Sequence, residues 1–136
     1  VVMFFSDMIR ATPIQCQIDF MAVSSYGGGT STSGKVRMLK DVSVDLRGRH
    51  VVILEDILDS GVTLSHVCAH LREMGPASLK ICTLLDKPSR REVEFTPDYC
   101  GVTVPDEFVV GFGLDYAEKY RALPYIGILK PEIYAK

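Results

Sequence analysis

Three carboxylates crowd one short stretch of this sequence, Glu55, Asp56 and Asp59, and Ser60, Gly61, Val62 and Thr63 follow at once. Hydroxyls and a glycine at the start of a helix suit a phosphate. The first turn presents unpaired N–H groups and the positive end of the helix dipole, and glycine lets a ligand approach the backbone. Carboxylates beside such a cradle would repel a bare anion. They fit a ligand that brings Mg2+, or one whose hydroxyl groups donate to them. A ribose 5-phosphate offers both a monophosphate and vicinal hydroxyls. The nucleoside-triphosphate loop is excluded, because its GxxxxGK[ST] spacing is absent and no lysine follows the glycine.

Lys87 is the second informative group. It follows an apolar run at 78–85 and is fixed by Pro88 behind it. A lysine at the end of a parallel strand points into the crevice where open α/β sheets bind ligands; the plainer reading is a solvated turn lysine. His66 and His70 have a spacing that can chelate zinc, but no third ligand lies nearby, so a polar helix face is expected. Neither the bunched Gly27, Gly28 and Gly29 nor the pair Gly111 and Gly113 makes a dinucleotide fingerprint.

These groups need elements to position them. Residues 51–54 are apolar and β-branched, as in a parallel strand covered on both faces, with Glu55 and Asp56 at or near its carboxyl end. Leu64, Val67, Cys68, Leu71 and Met74 mark one face of the following helix, which Gly75 and Pro76 stop. Val1, Phe4, Phe5, Met8 and Ile9 form an earlier helical stripe that ends before Pro13, with no signal-peptide pattern. Residues 14–24, 35–39, 42–44, 78–85, 99–105 and 125–129 read as strands, and 90–92 and 96–98 as surface connections. Residues 25–34 are rich in Gly, Ser and Thr, with only Tyr26 apolar. Such a segment is either a plain hairpin tip or a lid that orders over substrate.

A length of 136 residues fits one domain with a real core. A net charge of −2 argues against a general nucleic-acid or membrane surface. Cys16, Cys68, Cys82 and Cys100 lack CxxC spacing and read as buried reduced thiols of a cytoplasmic protein.

Residues 55–63, EDILDSGVT, resemble the phosphoribosyl-pyrophosphate motif of the type I phosphoribosyltransferases. Residues 106–116, DEFVVGFGLDY, are similar to a second signature of the hypoxanthine-guanine branch, bacterial in type, and Ser25 and Tyr26 match the pair that opens its lid. The resemblance implies a central, mostly parallel sheet flanked by helices, with a lid at about 25–34 and a small hood. It implies transfer of the 5-phosphoribosyl group from phosphoribosyl pyrophosphate to a 6-oxopurine, with Mg2+ as cofactor. By the same resemblance Asp59 is the catalytic acid or base. Asp59, Ser60, Gly61, Val62 and Thr63 hold the 5-phosphate, and Glu55 and Asp56 hold the ribose or the metal. Lys87, Phe108, Val109 and Asp115 bind the purine, Asp115 also carrying Mg2+, and Arg121 binds pyrophosphate. A homodimer or homotetramer is implied.

Two departures stand beside the match. The strand and short pyrophosphate loop that precede the first helix in such enzymes are missing, so an amino-terminally truncated single domain, 1–136, is expected. Val62 also stands where a Lys or Arg often follows the glycine. The alternatives are a regulatory protein of the same fold that senses phosphoribosyl pyrophosphate, or a transferase for xanthine.

Overall fold

A computed structural model describes residues 1–25 and 36–135. Helix α1 (Val2–Ala11) buries Phe4 and stops at Thr12, ahead of a proline that cannot continue it. A hairpin follows, β1 (Ala22–Ser25) antiparallel to β2 (Val36–Lys40), with a register shift between Ala22 and Val23. Next come β3 (His50–Leu58), α2 (Val62–Arg72), β4 (Ser78–Asp86) and β5 (Tyr99–Thr103). The three strands form a parallel sheet in the order β3-β4-β5, as the α/β reading requires. A two-stranded hood, β6 (Val109–Val110) against β7 (Gly127–Ile128), and a short α3 (Pro131–Tyr134) complete the chain.

The core lies between α2 and one face of the sheet. Leu64, Val67, Cys68 and Leu71, the residues that set the helical period, are all buried. Leu64 and Cys68 pack with Leu58 and Ile81, and Val67 and Leu71 pack with Leu46. Burying one such leucine removes enough apolar surface from water to be worth about 1.5–3 kcal/mol. Helix α1 packs on β3.

Several elements differ from expectation. Strand β3 runs on through Glu55 and Asp56 to Leu58, because the ladder to β4 continues past the apolar run: Glu55 pairs with Thr83 and Leu58 with Asp86. Among the described strands β4 is the middle one and β3 lies at an edge, and neither β3 nor β5 is covered on both faces: Val52 is 54% exposed, Tyr99 57% and Val102 54%. Residues 42–44 form no strand. The Asp19 carboxylate accepts the N–H groups of Ser43 at 2.6 Å and Val44 at 3.2 Å, which takes the donors a ladder would need. These backbone donors, with Phe20 N–H, hold the Asp19 carboxyl down at about 2. The strand expected at 14–24 is confined to its last residues, and that at 125–129 to two. Only Cys68 of the cysteines is buried; Cys82 is half-buried, and Cys16 and Cys100 are exposed, the latter on edge strand β5.

Candidate active site

The site begins where β3 hands over to α2. Gly61 caps the helix at φ +81°, in the left-handed region that favours glycine. A Cβ there would stand 3.1–3.2 Å from Val93, Arg91 and Phe95, so both conformation and space ask for glycine. Ser60 Oγ accepts the Val62 N–H at 3.2 Å, and the Gly61 carbonyl accepts from Ser65 N–H, which starts the helix. Residues 60–63 therefore wrap a helix N-terminus, with Ser60, Val62 and Thr63 half-buried.

Just before this turn the carboxylates crowd. The Glu55 carboxylate accepts the Asp56 N–H at 3.1 Å, and the Asp56 carboxylate accepts the Ile57 N–H at 2.8 Å. Burial pushes the Glu55 carboxyl up to about 8, and its hydrogen bond with Asp56 and the Asp56 charge push the same way. Burial thus favours the neutral form of Glu55. Asp59 is exposed, and its Oδ1 lies 4.0 Å from Lys87 Nζ. Lys87 is 9% exposed at the carboxyl end of β4, which fits a crevice lysine rather than a solvated one.

The loop carrying Asp59 is held from the other side by residues read as a surface connection. The Leu58 carbonyl accepts from Lys87 N–H at 2.9 Å, and the Ser60 carbonyl accepts from Glu92 N–H at 2.9 Å. Arg91 donates to the Asp59 carbonyl at 2.7 Å and to Asp86 Oδ1 at 2.6 Å. Arg90 beside it pairs with Asp106 in solvent. The sequence missed Arg91, since two adjacent arginines carry the same local signal and only the packing tells them apart.

The hood supplies the remaining groups. Phe108 meets Tyr116 edge-on at 5.5 Å and Tyr134 at 5.2 Å and 31°, so its ring is fixed between aromatic neighbours. Val109 is buried in β6. Asp115 accepts the Glu118 N–H at 2.8 Å and lies 3.5 Å from Arg121. Arg121 also donates to Glu118 at 2.9 Å and to the Gly113 carbonyl at 2.8 Å. The Glu118 hydrogen bonds raise the Arg121 guanidinium above its ordinary value, and the charges of Asp115, Glu118 and Asp56 add to this. Positive φ recurs through this stretch, at Gly111, Phe112, Gly113, Ala117, Glu118 and Tyr120. Left-handed backbone away from glycine costs energy and gathers at functional sites.

The structure thus brings Asp59, Ser60, Gly61, Val62, Thr63 and Lys87 to one junction, and Asp115 to Arg121. Among the described residues no three His, Cys, Asp or Glu side chains form a metal cage, so Glu55, Asp56 and Asp115 do not close around an ion by themselves. His70 bonds Asp41 at 2.8 Å, and His66 is exposed. The expected lid at 25–34 with Tyr26, and the Ser25 side chain, lie outside the described residues.

Residues 2–117 match the family described as the phosphoribosyl transferase domain. The chain is 53% identical over 133 residues to the bifunctional protein TilS/HprT of Listeria monocytogenes serotype 4b (strain F2365), covering 98% of this chain but 20% of that protein. It is 55% identical over 125 residues to a hypoxanthine phosphoribosyltransferase of Escherichia coli (strain K12), covering 92% of this chain and 70% of that one. A crystal structure of a hypoxanthine phosphoribosyltransferase from Staphylococcus aureus superposes with a TM-score of 0.95 at 50% identity, covering 99% of this chain and 73% of that one.

Proposed function

The chain belongs to the phosphoribosyltransferase family, in its hypoxanthine(-guanine) branch, and on that premise we propose that it is a purine-salvage enzyme. It transfers the 5-phosphoribosyl group of phosphoribosyl pyrophosphate to hypoxanthine, and to guanine, giving IMP or GMP and pyrophosphate. The observation that carries this is the junction at the α2 N-terminus. A phosphate cradle, an exposed carboxylate and a buried lysine stand together there, with Asp59 and Lys87 4.0 Å apart. The named relatives are transferases, which favours catalysis over a sensor on the same fold.

In the reaction a carbon–nitrogen bond forms at the anomeric carbon as the bond to pyrophosphate breaks, and the base loses a proton. Residues 60–63 anchor the 5-phosphate through helix N–H groups and hydroxyls. Asp56, with Glu55, accepts from the ribose hydroxyls. Lys87 donates to the 6-oxo group, Phe108 stacks on the base, and the Val109 backbone meets its exocyclic edge. Asp59 exchanges the proton at purine N7. Arg121 neutralises charge growing on the leaving pyrophosphate.

Separate carboxylates without a closed cage fit Mg2+, which keeps waters and is bound through one or two carboxylates plus substrate phosphates. Asp56 and Asp115 would hold it, and bound there it supplies positive charge to the pyrophosphate. In this reading the protein is a cytoplasmic homodimer or homotetramer. No helix among the described residues is long and apolar enough to cross a membrane.

The test is a spectrophotometric assay of the full protein with phosphoribosyl pyrophosphate, Mg2+ and each of hypoxanthine, guanine, xanthine and adenine. Nucleotide from hypoxanthine or guanine alone is expected, with Asp59→Asn lowering kcat by about 10²–10⁴-fold, the usual worth of a positioned acid or base. Product from xanthine alone would move the specificity. No product from any base, with phosphoribosyl pyrophosphate still bound, would favour the sensor.

A further inference from the structure

Arg91 joins the two halves of the junction. Its guanidinium donates to the Asp59 carbonyl at 2.7 Å and, more weakly, to the Leu58 carbonyl at 3.4 Å on the β3 side. On the β4 side it donates to Asp86 Oδ1 at 2.6 Å, and Asp86 immediately precedes Lys87. Both side chains of the pair are nearly buried, 15% and 13% exposed. Backbone bonds run in the same direction, from Lys87 N–H to the Leu58 carbonyl and from Glu92 N–H to the Ser60 carbonyl, each at 2.9 Å.

We infer that Arg91 is a positioning residue for the transfer reaction: it holds the loop that bears Asp59 at a fixed distance from the strand end that bears Lys87. The inference rests on the proposed transfer. Asp59 and Lys87 must address one base, one at a ring nitrogen and the other at an oxygen. Apart from their 4.0 Å ion pair they share no direct bond, so their spacing is set by what ties their backbones. A guanidinium suits this. Its planar fork donates in several fixed directions at once, which a lysine ammonium on a flexible stem does not reproduce. The Asp59 carbonyl is pinned while its carboxylate stays exposed and free to meet a base. Placement this close to the chemistry matters, because misplacing reacting groups by about 1 Å can cost about 10²-fold in rate.

The experiment compares Arg91→Ala, Arg91→Lys and Arg90→Ala in the full protein. Steady-state rates are measured with phosphoribosyl pyrophosphate and hypoxanthine, and amide hydrogen exchange without ligand. Arg91→Ala is expected to lower kcat by about 10- to 100-fold, the range for losing hydrogen bonds to a charged group, with a smaller change in KM for hypoxanthine. Arg91→Lys recovers part of that loss, and Arg90→Ala behaves as wild type. Exchange rises at Lys87 and Glu92 and stays unchanged in the β1–β2 hairpin. Wild-type kcat in Arg91→Ala overturns the inference. So does faster exchange across the whole chain with KM and kcat per folded molecule intact, since that is a purely structural role; Arg91→Lys decides if Arg91→Ala does not fold. An inactive wild-type protein would instead refute the transfer reading, and the exchange data would then decide alone whether Arg91 ties the loop.

Discussion

Glu55 shows at the scale of one residue how this site disfavours a buried charge. Its carboxyl is pushed up to about 8 by burial first and by Asp56 second, against an ordinary value of 4.5. The sign of the effect on stability follows. Between those two values the folded chain holds a proton that the unfolded chain has released, so folding is favoured less as pH rises. Glu55 thus contributes its full share below about 4.5, loses it progressively up to about 8, and changes little beyond. Glu55→Gln keeps the shape and removes the titration. Urea unfolding of wild type and variant across that interval should show stability falling with pH in wild type more steeply than in the variant. Parallel curves would mean that Glu55 does not hold the proton.

At the scale of elements, the turns at Gly48 and Gly111 both take a positive φ that favours glycine, and they differ in what they demand. A Cβ at Gly111 would lie 2.0 Å from the Tyr125 carbonyl oxygen, and φ there is +97°. Gly48 also has positive φ, +71°, but a Cβ there meets nothing within 4 Å. Gly48→Ala therefore faces only the left-handed penalty of about 1–2 kcal/mol. Gly111→Ala must also push apart the backbone that leads into β7, the partner of β6 next to Phe108. Thermal unfolding should show a larger loss for Gly111→Ala than for Gly48→Ala, with purine binding weakened only in the former. Equal losses would show that the hood yields without cost. The same local-against-distant contrast explains what the sequence disclosed. The period of α2 is local, and its buried face was readable from Leu64, Val67, Cys68 and Leu71. The ends of β3 and the fate of residues 42–44 were not, because the first depends on pairing with β4 and the second on a carboxylate more than twenty residues earlier, at Asp19. The placement of residues 59–63 at the start of α2 and of Lys87 at the end of β4 was legible, because each is local to one turn or one strand end. Arg91 was not, since its role exists only when the 3-10 turn at Pro88–Arg90 lays it against Asp59.

For the whole molecule, the distribution of apolar surface bears on assembly. Ile14 is 71% exposed, Ile18 50%, Phe20 47% and Leu39 59%, all on the segment that leads into the β1–β2 hairpin or on the hairpin itself. Single exposed apolar residues are ordinary, but several large ones along one segment and the hairpin it enters offer a surface that another molecule can cover. Lys40 steadies this region by donating to the Phe20 carbonyl at 2.8 Å, so the group is presented on fixed backbone. A second copy of the chain is the occupant that fits the proposed homodimer or homotetramer, and a net charge of −2 opposes self-association only weakly. Light scattering on the full protein should give two or four times the subunit mass at micromolar concentration. Phe20→Asp combined with Leu39→Asp should lower that mass while leaving the fold intact by circular dichroism. A wild-type monomer would remove the assembly from the proposal. An unchanged multimer in the double variant would place the subunit contact elsewhere, with the exposed faces of β3 and β5 around Val52, Tyr99 and Val102 as the surface to substitute next.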